Sequence, residues 1–404
     1  MWGAGPLEEG PQGSCRRSTL PIEGIPPGKF FLVPPLILCI LEPMTRAAAF
    51  LVGLALSLCQ LAGAQVKWVA AHDLRVEGQG FRDLAAPFDR LPAAAKGVVR
   101  DRVWQLSEDS AGICVRFVTD ATSIRCRWGL RKAQLAMPHM PATGVSGVDL
   151  YVRDEEGRWR WAACPRPEAQ ENDEALLDGI DPGEREYLLY LPLYNGVTHL
   201  EVGVPEAAKL EPGPERPRKK ARPVVFYGTS ITHGACASRP GMCHTALLGR
   251  WFDRPVVNLG FSGNGRMETE VGQFVAQLDA EVFVIDCLPN MNGAQVAQRV
   301  EPLVRQLREA HPKTPILLVE DRTFANAFLL GGRRRHHEAS RKALREGFER
   351  LREAGVRHLD YVEGAQLLGN EDTVDASHPS DLGFVKQAEV LAKALESHLG
   401  RWRR

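Results

Sequence analysis

The stretch Val224-Val225-Phe226-Tyr227-Gly228-Thr229-Ser230-Ile231-Thr232-His233-Gly234 constrains the fold more than any other. Four apolar residues in a row read as a buried strand. Gly228 ends that strand, Ser230 opens a turn, and Thr245 to Trp251 read as a helix. A serine at a strand-to-helix turn lies at the carboxyl edge of a sheet, where open α/β folds bind ligands. Its backbone N–H faces the same space as the N-terminus of the next helix and can stabilise an oxyanion. The same serine also suits a plain helix cap. The surrounding Gly228-Thr229-Ser230-Ile231-Thr232 lacks the Gly-x-Ser-x-Gly form of a nucleophile elbow. Ser230 therefore needs partners from elsewhere in the chain.

The pattern around this stretch is βαβ. Strands are predicted at Val224–Tyr227, Val256–Leu259, Val282–Ile285 and Ile316–Val319. They alternate with helices at about Met267–Leu278, Gly293–Ala310, Arg335–Ala354 and Leu382–His398. This predicts a parallel sheet covered on both faces, over residues 223–404. Residues 65–204 read differently. Ile113, Val115 and Phe117 alternate with polar neighbours, as do Ile124, Cys126 and Trp128. A period of two marks half-buried antiparallel strands, and Thr119-Asp120 between the runs suits a hairpin turn. Further strands are expected at Val148–Val152, Trp159–Ala163, Tyr187–Leu193 and His199–Val204. Many short strands with turns between them predict a β-sandwich of jelly-roll type. Residues 205–222, rich in proline and charge, read as a solvated linker.

A length of 404 residues allows two domains or more. The 50 basic and 50 acidic residues cancel, which argues against nucleic acid or an acidic membrane surface as partner. Residues 1–43 read as a mis-called start or a disordered extension. Met44-Thr45-Arg46, the apolar run Ala47–Leu58 and Ala62-Gly63-Ala64 read as a signal peptide over 44–64, with Gln65 as the first mature residue. Phe30–Leu41 is a rival membrane anchor, but its paired prolines and its length oppose that reading. An exported protein, periplasmic or extracellular and without stable membrane insertion, is expected. Six cysteines follow residue 64, and export permits disulfides. Cys236 and Cys243 flank a short loop and are one candidate pair, two unlinked thiols being the alternative. No Cys-x-x-Cys occurs, and His336-His337 sits in a run of Arg and Lys, so no metal or other cofactor is expected.

Partners for Ser230 occur in three places. In Thr373-Val374-Asp375-Ala376-Ser377-His378-Pro379, a tight loop can bring the Asp375 carboxylate to the Nδ1–H of His378. That contact fixes the tautomer and leaves Nε2 to take a proton from a serine. Asn258-Leu259-Gly260-Phe261-Ser262-Gly263-Asn264-Gly265 follows one strand, and Asp286-Cys287-Leu288-Pro289-Asn290 follows the next. The Gly263 N–H and the Asn290 amide are suitable oxyanion donors. His233, one helical turn after Ser230, is a rival base. No carboxylate is placed in sequence to orient it, so His378 is preferred. Glu320 and Asp321 end a strand and are either substrate contacts or solvent-facing charges.

The order and content of these blocks resemble the SGNH (GDSL-type) hydrolases. The resemblance makes Ser230 the nucleophile, Asp375 and His378 its triad partners, and Ser230, Gly263 and Asn290 the oxyanion hole. It also implies a flavodoxin-like three-layer α/β/α domain behind a β-sandwich. Gly147-Val148-Asp149-Leu150-Tyr151 is similar to the G-x-D-L-Y signature of one branch, as are Leu191–Val197 and Cys236–Met242. Two positions depart from the pattern. Thr229 stands for the Asp of the family name, and Leu288-Pro289-Asn290 stands for Gly-x-Asn-Asp. The activity implied is that of an exported serine esterase acting on short-chain, acetyl, esters of a small molecule or glycan. A lipase or thioesterase, and a carbohydrate-binding protein with an inactive hydrolase domain, remain as alternatives. For glycan stacking the sequence offers Trp68, Trp128, Trp159 and Trp161, most of them expected in the core.

Overall fold

A computed structural model describes residues 65–404. The leader (1–43) and signal-peptide (44–64) readings, and Phe30–Leu41 with them, lie outside the described residues. The first half forms two antiparallel sheets. One has strand order β1-β9-β4-β7, with β1 (Val66–Ala70), β4 (Ser123–Leu130), β7 (Glu171–Asp178) and β9 (Val197–Pro205). The other has order β10-β3-β8-β5-β6, with β2 also paired to β3. Its strands are β2 (Arg75–Glu77), β3 (Cys114–Thr119), β5 (Asp149–Arg153), β6 (Trp159–Ala163), β8 (Arg185–Tyr190) and β10 (Leu210–Pro212). Ile113, Val115 and Phe117 meet Ile124, Cys126 and Trp128 in one buried cluster between the sheets.

That packing corrects one expectation. β3 and β4 are not a hairpin, because they belong to different sheets, and the Thr119-Asp120 turn crosses the sandwich. Alternation tells which face of a strand is inward, but not which sheet holds it. Asp120 serves the crossing by accepting a 2.7 Å bond from the Lys209 N–H. The charged run after residue 205 is likewise anchored rather than free. β10 pairs with β3, and Arg216 bonds both carboxylate oxygens of Glu77, at 2.9–3.0 Å, and the Asp253 carbonyl at 2.6 Å.

The second half is a five-stranded, wholly parallel sheet of order β12-β11-β13-β14-β15. It comprises β11 (Val224–Gly228), β12 (Val256–Gly260), β13 (Val282–Asp286), β14 (Ile316–Val319) and β15 (Leu359–Val362). This is the doubly wound order 2-1-3-4-5. β15 was not anticipated, since its two middle residues are half-exposed and its apolar signal is short. Side chains alternate across the sheet. Val225 and Tyr227 enter one core and Val224 and Phe226 the other.

Seven helices are used below: α1 (Asp101–Ser107), α2 (Ser230–His233), α3 (His244–Phe252), α4 (Thr269–Val275), α5 (Gly293–Ala310), α6 (Gly331–Glu353) and α7 (Asp381–Leu399). α4, α5 and α6 cover the first face and α3 and α7 the second, giving three layers. α4 starts later than expected, because Met267 adopts φ 52°. Residues ahead of β11 complete both cores. Leu91, Val103, Trp104 and Leu106 join the first, and Met140, Val145, Leu193 and Tyr194 the second.

Candidate active site

β11 delivers Ser230 to the first position of α2. The cap of α2 is Thr229, whose Oγ1 accepts from the Ile231 N–H at 3.3 Å. Ser230 is thus relieved of the capping role. Gly234, at φ 111°, ends the helix after one turn. The turn after β12 presses against it, and a Cβ on Gly260 would lie 2.2 Å from the His233 nitrogen. A Cβ on Gly265 would meet the Gly228 carbonyl at 1.8 Å, so this approach requires glycine.

The Ser230 Oγ lies 2.8 Å from His378 Nε2, and His378 Nδ1 lies 2.7 Å from Asp375 Oδ2. Asp375 Oδ1 accepts from the backbone N–H groups of Ser377 and His378, at 3.1 and 2.8 Å. Ala376 takes φ 72°, which closes the loop tightly enough for these contacts. Burial pushes the Asp375 carboxyl up, but the His378 N–H, its ring and the Ser377 N–H hold it below the usual carboxylate range. A carboxylate on Nδ1 leaves the Nε2 lone pair facing the serine hydroxyl, which is the arrangement for deprotonating a nucleophile.

Gly263 and Asn290 lie on the loops after β12 and β13. Gly263 is exposed at φ 69°, and its carbonyl accepts from Arg266 at 2.8 and 3.1 Å. In the orientation its neighbours satisfy, the Asn290 amide oxygen accepts from the Asn264 and Gly265 N–H groups, at 3.0 and 3.2 Å. The amide is then fixed, and its NH₂ hydrogens are left for another acceptor. Below α2, the Asp286 carboxylate accepts from Thr232 Oγ1 at 3.0 Å and is ion-paired to buried Arg322.

His233 points away from this chain of bonds. It is fully buried, stacked on Tyr194 at 4.1 Å, with its Nε2 3.7 Å from Asp109. Burial, then Arg90 and Lys132, hold its pKa well below the ordinary value. The carboxylate missing from its sequence neighbourhood comes from the first half of the chain. Glu320 is occupied by Tyr361, Gly364 and Arg345. Asp321 is buried, so it is no solvent-facing charge. Cys236 and Cys243 are unlinked. Trp128 is core, whereas Trp161 is 54% exposed.

Sequence reasoning missed what the first half supplies. The Tyr194 hydroxyl donates to the Ser230 carbonyl at 3.4 Å. The His139 ring lies 6.3 Å from the His378 ring. A cavity of about 350 Å³ is walled by Tyr194, Ser262, Lys132, Gln134 and Met137. Buried Asp149 accepts from Arg239 and from the Gly241 N–H, both at 2.8 Å, on the loop that follows α2. Ser238 of that loop bonds Asp381 through its N–H and hydroxyl, at 2.9 and 2.5 Å. Asp381 opens α7, directly after the His378 loop. The only signal was that Tyr194 and Asp149 fall in stretches quoted for the resemblance.

Over the described residues the chain is similar to known proteins in sequence and fold. Residues 221–396 match the model of the GDSL-like lipase/acylhydrolase family, and residues 66–210 match the N-terminal domain of SGNH-hydrolase-type esterases. A GDSL-like lipase from Bacteroides ovatus is 32% identical and superposes with a TM-score of 0.79, over 83% of this chain and 99% of that one. A salicylyl-acyltransferase from a tetracycline biosynthetic pathway gives 20% identity and a TM-score of 0.66, over 83% and 98%. An acetyl xylan esterase from the rumen bacterium Butyrivibrio proteoclasticus gives 11% and 0.53, over 83% and 99%. At the last two identities the likeness is one of fold. No curated protein matches the chain in sequence. A serine held at the carboxyl edge of this sheet, in this company, belongs to a carboxylic ester hydrolase. The chain is a member of the GDSL-like (SGNH) lipase/acylhydrolase family.

Proposed function

We propose that the chain is an exported serine esterase that removes short acyl groups, acetyl above all, from carbohydrate. The observation that carries the reading is the continuous run Ser230 Oγ, His378, Asp375, with links of 2.8 and 2.7 Å. In this reading His378 takes the Ser230 proton as Oγ attacks the ester carbonyl. The Ser230 and Gly263 N–H groups and the Asn290 amide receive the oxyanion. His378 then protonates the departing alcohol and activates the water that releases the acyl group. Residues 44–64 would direct export, residues 65–204 would form most of the sandwich, and 205–222, whose β10 joins a sandwich sheet, would connect it to a catalytic domain over 223–404.

The acetyl preference is supported by the small residues in the blocks around Ser230 and Gly263, which contain no extended apolar run. The fold-level likeness to an acetyl xylan esterase points the same way. Each methylene that fits an apolar pocket adds about 0.8 kcal/mol. A lipase therefore gains in kcat/KM from p-nitrophenyl acetate through butyrate to octanoate, and a deacetylase loses. The test is that series, followed by acetate release from acetylated oligosaccharides, with Ser230→Ala as control. Rising efficiency with chain length and no acetate from any glycan would refute the proposal.

A further inference from the structure

The chain has no net charge, yet one cavity of about 500 Å³ is lined by seven Lys and Arg side chains and a single acid, Asp253. It opens where β5 and β6 of the sandwich meet α3 and the residues after α7. Most of the cations have carboxylate partners. Among the described residues Arg250, Arg401 and Arg403 form no salt bridge. Arg250 is the informative one. Its guanidinium stacks 3.9 Å from the Tyr151 ring and donates to the Gly241 carbonyl at 2.8 Å. Its Nη1 is shielded from solvent and has no hydrogen-bond partner. Shielded in this way, Arg250 is closed to a ligand and places its charge behind the cavity wall, whereas Arg401 and Arg403 are exposed on that wall. Trp402 stacks on Trp251 at 5.1 Å, and the Arg403 N–H donates to the Trp251 carbonyl at 3.0 Å. The C-terminal residues are thereby pinned, with Arg401 and Arg403 at the cavity wall. Trp159 also lines it, with Arg153 covering one indole face at 4.2 Å.

From this we infer a second ligand site, separate from Ser230, for a sugar ring that carries a carboxylate. Guanidinium forks match a carboxylate in geometry and charge. Trp159, half-buried against Tyr151 and its neighbours, presents the remaining part of its indole at the cavity wall as an apolar contact for a ring. A volume of about 500 Å³ suits a short oligosaccharide and not an extended polyanion. The site requires no turnover, so it stands or falls apart from the esterase reading.

The experiment is calorimetric titration of the full chain at low salt with tri-galacturonate, beside cellotriose, sodium sulfate and adenosine monophosphate. Tri-galacturonate binds, and cellotriose binds at least tenfold more weakly or not at all. The double variant Arg401→Ala/Arg403→Ala, changed only at exposed positions, loses at least tenfold in tri-galacturonate affinity. It hydrolyses p-nitrophenyl acetate at the unaltered rate. Trp159→Ala weakens tri-galacturonate and leaves any sulfate binding unchanged. The inference is overturned by tri-galacturonate affinity that survives the double variant. Equal affinity for sulfate or cellotriose, or tighter binding of the nucleotide, overturns it as well.

Discussion

His378 and His233 are both near Ser230 in sequence logic but differ in everything that matters chemically. His378 has its Nδ1 on a carboxylate and its Nε2 on the serine hydroxyl. His233 is sealed between Tyr194, Arg90 and Asp109. We expect His378→Ala to lower kcat by about 10³-fold or more, and Asp375→Asn by a comparable factor with KM little changed. A His233→Asn change should instead lower Tm while costing kcat less than tenfold. A larger kcat loss at His233 would reverse the assignment. Asp321 gives a separate prediction at this scale. Burial outweighs Arg322 and Arg341 and pushes its carboxyl up to about 7. A raised carboxyl pKa favours the protonated native state. Its stabilising contribution is complete below the ordinary carboxylate range, about 4, and is lost as pH rises through about 7. Asp321→Asn should therefore gain roughly 1–3 kcal/mol of stability at pH 8 relative to pH 5 against the parent. Urea midpoints at both pH values decide it, and an identical pH slope in parent and variant would exclude the buried acid.

At the level of elements, the placement of much of the candidate site was legible because its residues sit at strand ends. β11, β12 and β13 are continuous apolar runs, and the Gly-rich and Asn-bearing turns follow them directly. The His378 loop precedes a strongly patterned helix. Half-exposed β6 was legible from its two tryptophans, whereas β7 and β15 were not. β15 has two polar-facing residues among four, and β7 (Glu171–Asp178) buries only Asn172 and Leu176 fully. The clasp of Asp149 on the loop after α2 was not legible either. It joins residues 90 and 92 positions apart, and no local period encodes such a pairing. The clasp has a testable consequence. Asp149 holds Arg239 and Gly241, Ser238 of the same loop holds Asp381, and Asp381 begins α7 immediately after the His378 loop. Asp149→Ala leaves Arg239 and the Gly241 N–H short of a buried acceptor, which costs about 3–5 kcal/mol. We expect a lower Tm and, at temperatures where the variant is folded, a kcat loss exceeding the change in KM. A variant with reduced Tm but wild-type kcat would confine the clasp to stability.

At the scale of the whole molecule, the sandwich and the parallel sheet share their interior. β12 is an edge strand of the five-stranded sheet, and edges need covering. Here buried Arg90 donates to the carbonyls of Asn258 and Gly260 on that edge, at 3.0 and 2.8 Å, while its Nε donates to the Asp109 carbonyl at 2.7 Å. α1 adds Val103, Trp104 and Leu106 to one core, and Met140, Leu193 and Tyr194 enter the other. Burying one large apolar side chain stabilises by about 1.5–3 kcal/mol. Six of them are comparable with the whole stability of a typical domain, about 5–15 kcal/mol. Residues 223–404 produced alone would expose both faces and strip the edge of its guanidinium. We expect that fragment to aggregate or to show no cooperative thermal transition. Residues 65–404 should unfold in one transition, with the two halves losing structure together. Circular dichroism melts of both polypeptides, with p-nitrophenyl acetate hydrolysis followed across the transition, make the comparison. A soluble 223–404 fragment that melts cooperatively and hydrolyses the ester at the rate of the longer chain would show that the shared interior is dispensable. It would also show that Tyr194, beneath the Ser230 carbonyl, has no part in positioning the nucleophile.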